Sequence, residues 1–330
     1  MTERAIHLGL LVSALALAIW AFSGHGRNAT SSAAGAADHA QSPLSIIPPG
    51  SAFVLSADVA RLEQAPLGAF LALRLGHLGR TSELTKTCGF DPLTRLSQLV
   101  LAVPSAGQTA AEHGDDFGIV ATGPFSATEI TRCASAAIAQ RGGEAVPSTL
   151  GSFSSVRDRK GSGGEVAAKD GLLIVSGGSY FRELLDAAEG SAPEHPDARD
   201  ARHVALRRAL GSGDIVATWL LAPGWFERVS GENSARLSAL GGLSALGARA
   251  IVSSDVRMSV LLQCTDREGV TKVSDLLTQM RASLGSLALA SALSSAARRI
   301  ELTPDGNQLR LTLTLEQAEL AALFDALLGP

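Results

Sequence analysis

The chain has 330 residues, 46% of them hydrophobic and 18% charged: enough apolar material for two ordinary domains, and too little charge for a disordered chain. The formal net charge is −4 and no long Lys/Arg run occurs, so there is no electrostatic footprint for nucleic acid. Aromatics make up 4%, with Tyr180 the lone tyrosine, fewer than a surface built to stack sugars or bases would hold.

The first segment reads as an address. Arg4 and His7 precede an apolar run, Leu8–Phe22, whose length lies between a signal-peptide core and a minimal membrane span. Ala21-Phe22-Ser23 is a poor cleavage site, and the better one, Ala34-Gly35-Ala36, lies far downstream. No cysteine stands near the run, which excludes lipoprotein processing. Residues 1–23 are therefore expected to be an uncleaved signal-anchor, with a cleaved signal peptide and a buried core helix as the alternatives. Arg4 on the leading side favours an N-in orientation: a single pass through the cytoplasmic membrane, with the bulk of the chain periplasmic. Residues 24–43, rich in Gly, Ala and Ser, form a flexible linker.

Folding is expected to begin at Leu44. Ala52–Ala57 reads as a buried strand, Asp58 as an N-cap, and Pro66 as the first turn of a helix through Leu75. Leu96–Val103 and Phe117–Thr122 are further strands. Ser126-Ala127-Thr128-Glu129 is a capping box, and behind it Ile130, Cys133, Ala134, Ala137 and Ile138 trace one apolar helical face. Strands follow at Ser152–Arg157, Glu165–Ala168 and Leu172–Ser176, the last two joined by the hairpin turn Asp170-Gly171. Ser179 is expected to cap a helix that closes at Asp186–Gly190.

Residues 191–210 read as an interdomain linker, after which the pattern restarts in Gly211–Phe226. Strands are predicted at Asp214–Leu221, Ala250–Ser253 and Met258–Cys264. Thr265-Asp266-Arg267-Glu268 is a second capping box, Pro304-Asp305-Gly306 a second hairpin turn, and Thr314 the cap of the last helix. The offset from Ser126 to Thr265 equals that from Asp186 to Asp325, and the offset between the Asp-Gly turns is slightly shorter. These matches predict an α+β chain of two similar lobes, residues 44–190 and 211–330. Each should be a mainly antiparallel sheet with helices packed on one face. Independent use of common caps and turns is the alternative.

The stretch PPGSAFVLSADVARLEQAPLGAFL, with CGFDPL and DDFGIVATGPF, resembles uncharacterised bacterial membrane-anchored proteins of tandem α+β build. The resemblance spans most of Leu44–Pro330. It implies an extracytoplasmic location and transfers no catalytic residue.

Chemistry-bearing motifs are sparse. The densest polar cluster, Glu194 to His203, sits in the expected linker with irregular spacing, and no metal site is assigned. There is no G-x-S-x-G elbow, and Gly161-Ser162-Gly163-Gly164 runs into Glu165 rather than Lys-Ser/Thr, so no nucleophile or phosphate loop is assigned and no cofactor is expected. Trp219, Trp225 and Phe226 around Pro223-Gly224 read as core packing or, alternatively, as an exposed binding edge. Three cysteines are present: Cys88 and Cys133 form the expected disulfide, Cys264 a buried thiol, and three inert core thiols are the alternative. Taken together these features favour a non-enzymatic binding or scaffold module with a protein or envelope partner and the membrane as its anchor. An extracytoplasmic hydrolase with sequence-distant catalytic groups is the alternative.

Overall fold

A computed structural model of the chain describes residues 42–68, 70, 81–105, 116–160, 164–190, 200–226, 238–286 and 291–328. The anchor over 1–23, most of the 24–43 linker, and residues 69 and 71–75 of the helix expected from Pro66 to Leu75 lie outside the described residues. Among the described residues no helix is long and apolar enough to cross a membrane. The protein is a mixed α+β chain of two compact units. Among the described residues the first spans 42–64 and 68–200, and the second 65–67 and 201–328.

The first unit opens with the Pro-Pro-Gly turn, where Gly50 takes a φ of 83°. β1 (Ser51–Asp58), β2 (Gln98–Pro104) and β3 (Gly118–Thr122) then form an antiparallel meander. Helix α1 (Val59–Gln64) leaves β1 directly, with the Asp58 carboxylate accepting from the Arg61 amide at 3.0 Å. Helix α2 (Thr81–Cys88) precedes β2, and α3 (Ala127–Gln140) follows β3. Next come β4 (Ala145–Leu150), β5 (Phe153–Asp158), β6 (Glu165–Lys169) and β7 (Leu172–Ser176), and α4 (Tyr180–Ala188) closes the unit. The sheet order is β1-β2-β3-β7-β6-β5-β4. The two-residue Asp170-Gly171 loop joins β6 to β7 with Gly171 at φ 79°, a conformation open to glycine at little cost.

Helices cover both faces of this sheet, which corrects the one-face expectation. Consecutive residues Val54–Leu55, Val120–Ala121 and Ala167–Ala168 are all buried, so neither side of these strands meets water. One face carries Val54, Val100, Val120, Ile174, Ala167 and Phe153 under Tyr180, Phe181, Leu184 and Leu185 of α4. A Cβ on Gly118 would lie 2.6 Å from Leu184 Cδ1, so the missing side chain lets α4 approach β3. The opposite face, with buried Ala121, Val156 and Ala168, lies under Ile130, Cys133 and Ile138 of α3. Strand β4 had no counterpart in the sequence reading because Pro147 and its hydroxyl neighbours mask it. Proline is tolerated there because β4 is an edge strand.

The second unit begins with α5 (Ala201–Leu210), inside the stretch expected to be linker. His203, Leu206 and Leu210 recur on one helical side and are buried, and that packing makes the segment helical despite its charge. β8 (Ile215–Leu220), β9 (Leu243–Val252) and β10 (Asp255–Cys264) form a second antiparallel meander. α6 (Arg267–Ser286), α7 (Ser291–Arg298), the hairpin β11 (Glu301–Asp305) and β12 (Gln308–Glu316), and α8 (Gln317–Leu328) follow. The order is β8-β9-β10-β12-β11, with Leu262 of β10 opposite both Leu246 and Leu309. Here too the faces are shared: Val270 and Val273 of α6 pack one, Leu206 and Leu210 of α5 the other.

Three caps differ from expectation. Helix α6 is capped by Asp266, whose carboxylate accepts from the Gly269 amide at 2.7 Å, one residue later than the Thr265 start. A charged acceptor at a helix N-terminus also meets the positive end of the helix dipole. Thr314 stays in β12, and α8 starts after Glu316, whose amide donates to the Glu319 carboxylate at 3.0 Å. Ser179 stands before α4 without a side-chain cap bond; its hydroxyl faces Asp116 Oδ2 at 3.4 Å.

Glu319 ties α8 to the turn after α7. Its carboxylate is buried and accepts from the Arg299 guanidinium, which also donates to the Thr314 carbonyl at 2.9 Å. Burial alone would raise the carboxyl's pKa, but Arg299 and the Glu316 amide outweigh it and hold it below the usual range. A folded-state value below the unfolded one contributes stability above about pH 4.3, lost as pH falls through the folded value. Glu319→Gln should therefore cost about 1 kcal/mol at pH 7, at the low end because Arg299 stays well solvated. It should also flatten the acid limb of the pH–stability curve, measured by urea unfolding between pH 3 and pH 7. An unchanged acid limb would rule this role out.

Candidate functional sites

Cys133 sits on the inward face of α3, and Cys88 is the last residue of α2. Their Cα atoms are 4.4 Å apart and the two residues are disulfide-bonded. Beside the bond, Thr87 Oγ1 donates to Gln140 Oε1. The bond fastens a helix of eight residues, too short to persist alone, onto one packed against the sheet. Cys264 is a buried free thiol. Burial and the neighbouring Asp266 push its pKa up, which keeps it protonated and unreactive.

The N-terminus of α3 carries the reciprocal capping box. Ser126 Oγ accepts from the Glu129 amide at 3.2 Å, and Glu129 Oε2 accepts from the Ser126 amide at 2.9 Å. Arg95 adds an ion pair to Glu129 Oε1 at 3.0 Å. The Ser126 amide first, then its hydroxyl and Arg95, hold the Glu129 carboxyl below the ordinary range.

Phe226 belongs to the core, and Trp219 and Trp225 pack against it while staying partly exposed. Phe226 is buried, and both tryptophans pack against the cluster of Leu221, Leu243 and Leu262. The Trp225 indole N–H donates to the Leu243 carbonyl at 3.1 Å, and its ring meets Phe226 edge-on at 5.7 Å. His203, the one histidine among the described residues, is buried with Nδ1 2.7 Å from Thr218 Oγ1, a packing role on α5. No group of His, Cys, Asp and Glu among the described residues could hold a metal ion.

Two surface grooves stand out among the described residues, both in the first unit. The larger, about 470 Å³, lies between α3 and the edge strands β4 and β5. Its helix wall is Thr128, Thr131, Arg132 and Ser135, and its strand floor includes Pro147, Ser148, Thr149 and Ser154. The smaller, about 320 Å³, includes Arg157, Glu165 and the Gly177-Gly178 turn before α4. There the Asp116 carboxylate already occupies the space a Gly178 side chain would take. Sequence reasoning missed the hydroxyls of the larger groove. Their signal was the recurrence of Thr128, Thr131 and Ser135 beside the apolar stripe of the same helix.

The fold class these features define is an α+β protein built on antiparallel sheets covered by helices. No family model matches the chain, and no curated protein matches it. A solved structure of crystal form I of TP0453 is similar, with a TM-score of 0.49 and 13% identity, covering 88% of this chain and 100% of that one.

Proposed function

We propose that the chain is an extracytoplasmic module of two lobes of common ancestry, anchored in the cytoplasmic membrane by residues 1–23, which acts by binding an envelope or protein partner rather than by catalysis. The Cys88–Cys133 bond carries the reading of compartment, because structural disulfides persist where the surroundings are oxidising. The apolar run Leu8–Phe22 supplies the anchor in this reading. Common ancestry is supported by connectivity. Each unit has a three-strand meander, an N-capped helix, and a hairpin whose second strand pairs with the third strand of the meander. A closing helix then follows directly. In the first unit β4 and β5 extend the far edge.

Fusions at Pro330 test the compartment. Alkaline phosphatase placed there should be active and a cytoplasmic fluorescent reporter dark, and the full-length protein should stay with membranes through a carbonate wash. The reverse pattern, or release by carbonate, would refute export or anchoring respectively.

A further inference from the structure

We infer that the groove between α3 and β4–β5 is a binding site for a small polyhydroxylated oxyanion, with Arg132 taking the anionic group and the Ser/Thr hydroxyls the rest. The inference stands apart from the export and anchoring reading, since it concerns binding by purified protein. At about 470 Å³ the groove falls within the range of small-molecule sites. No carboxylate and no aromatic ring lines it, so it offers hydrogen bonds and one positive charge rather than stacking.

Arg132 is the decisive residue. On a helix its natural partner is the carboxylate three residues earlier, Glu129. That carboxylate is committed elsewhere: one oxygen accepts from the Ser126 amide and hydroxyl, and the other pairs with Arg95. Among the described residues no carboxylate lies within 4.0 Å of the Arg132 guanidinium. A planar, permanently charged fork at the groove wall is thereby left to an external oxyanion, which it can hold bidentately.

The hydroxyls supply the complementary valence. Thr131 Oγ1 donates to the Ala127 carbonyl at 2.9 Å, and Ser135 Oγ to the Thr131 carbonyl at 2.8 Å. With their protons engaged, Thr131 and Ser135 retain lone pairs that can accept from ligand O–H groups, and Thr149 and Ser154 project from the strand floor on the same face as Val156. A neutral polyol leaves Arg132 unmatched, and bare phosphate leaves these acceptors unmatched. An oxyanion on a hydroxylated scaffold satisfies both, whether the anion is a carboxylate, as in a uronic acid, or a phosphate ester, as in a sugar phosphate.

Calorimetric titration of the full-length protein in detergent, with galacturonic acid, glucose 6-phosphate, glucose and inorganic phosphate, tests this. At least one of the first two should bind about tenfold or more tightly than both controls, and which one does so identifies the source of the oxyanion. Arg132→Gln should remove that advantage about tenfold, and Arg132→Lys should restore part of it. Arg132 is exposed, so thermal melts of both variants should match the parent. Equal affinity for all four compounds, no binding at about 10 mM, or affinity unchanged in Arg132→Gln would each overturn the site and identify the groove as a solvated helix flank.

Discussion

Removing the Cys88–Cys133 bond, by reduction or as the double variant Cys88→Ala/Cys133→Ala, is expected to lower the unfolding free energy of the first unit by about 4 kcal/mol. The sequence separation is 45 residues, and a loop of that length lost from the unfolded ensemble corresponds to this magnitude on the chain-entropy estimate. Local packing adds to it. Both cysteines are buried, so alanine leaves small voids, and α2 loses its covalent hold on α3. The double variant avoids a lone thiol that could form mixed disulfides. Urea unfolding followed by far-UV circular dichroism, with and without dithiothreitol, measures the effect. Reductant should move the parent's midpoint and leave the double variant's in place. A parent midpoint indifferent to reductant would exclude a stabilising bridge.

Phe153→Ala should cost about 3–5 kcal/mol, the usual toll for truncating a fully buried aromatic ring. Phe153 is fully buried in the cluster with Ile174, Ala167 and Leu184, at the start of β5. Its ring also receives the Lys169 ammonium 4.9 Å from the centroid, an attraction that alanine, with no π face, does not offer. Amide exchange in β5, β6 and β7 should accelerate together, because these strands share one ladder. Phe153→Leu keeps most of the volume and should recover more than half of the loss. Parent-like exchange in Phe153→Ala would show that the ring is not a core residue.

Local structure was legible wherever a few adjacent residues determine it. The Ser126–Glu129 capping box, the apolar stripe of α3 and the Asp170-Gly171 hairpin each depend on contacts within four positions in the chain. The Cys88–Cys133 pairing followed from the inward face of α3 and the scarcity of other cysteines in the first half. Where two neighbouring residues could do the same task, the pattern could not choose. Thr265 and Asp266 are both good caps, and the carboxylate prevailed in the structure.

By itself the sequence determined the α+β class and most strand and helix positions. Only the tertiary structure decided which face each helix covers, because a crossover helix can return over either side of a sheet and the choice rests on long-range burial such as that of Ala167 and Ala168. It also decided that 201–210 is a helix, through packing of Leu206 and Leu210 with Val216 and Leu261, residues that local propensity does not consult. The groove belongs to this second kind. Its hydroxyls and Arg132 lie on α3, β4 and β5, and only the pairing of an edge strand that contains a proline brings them together.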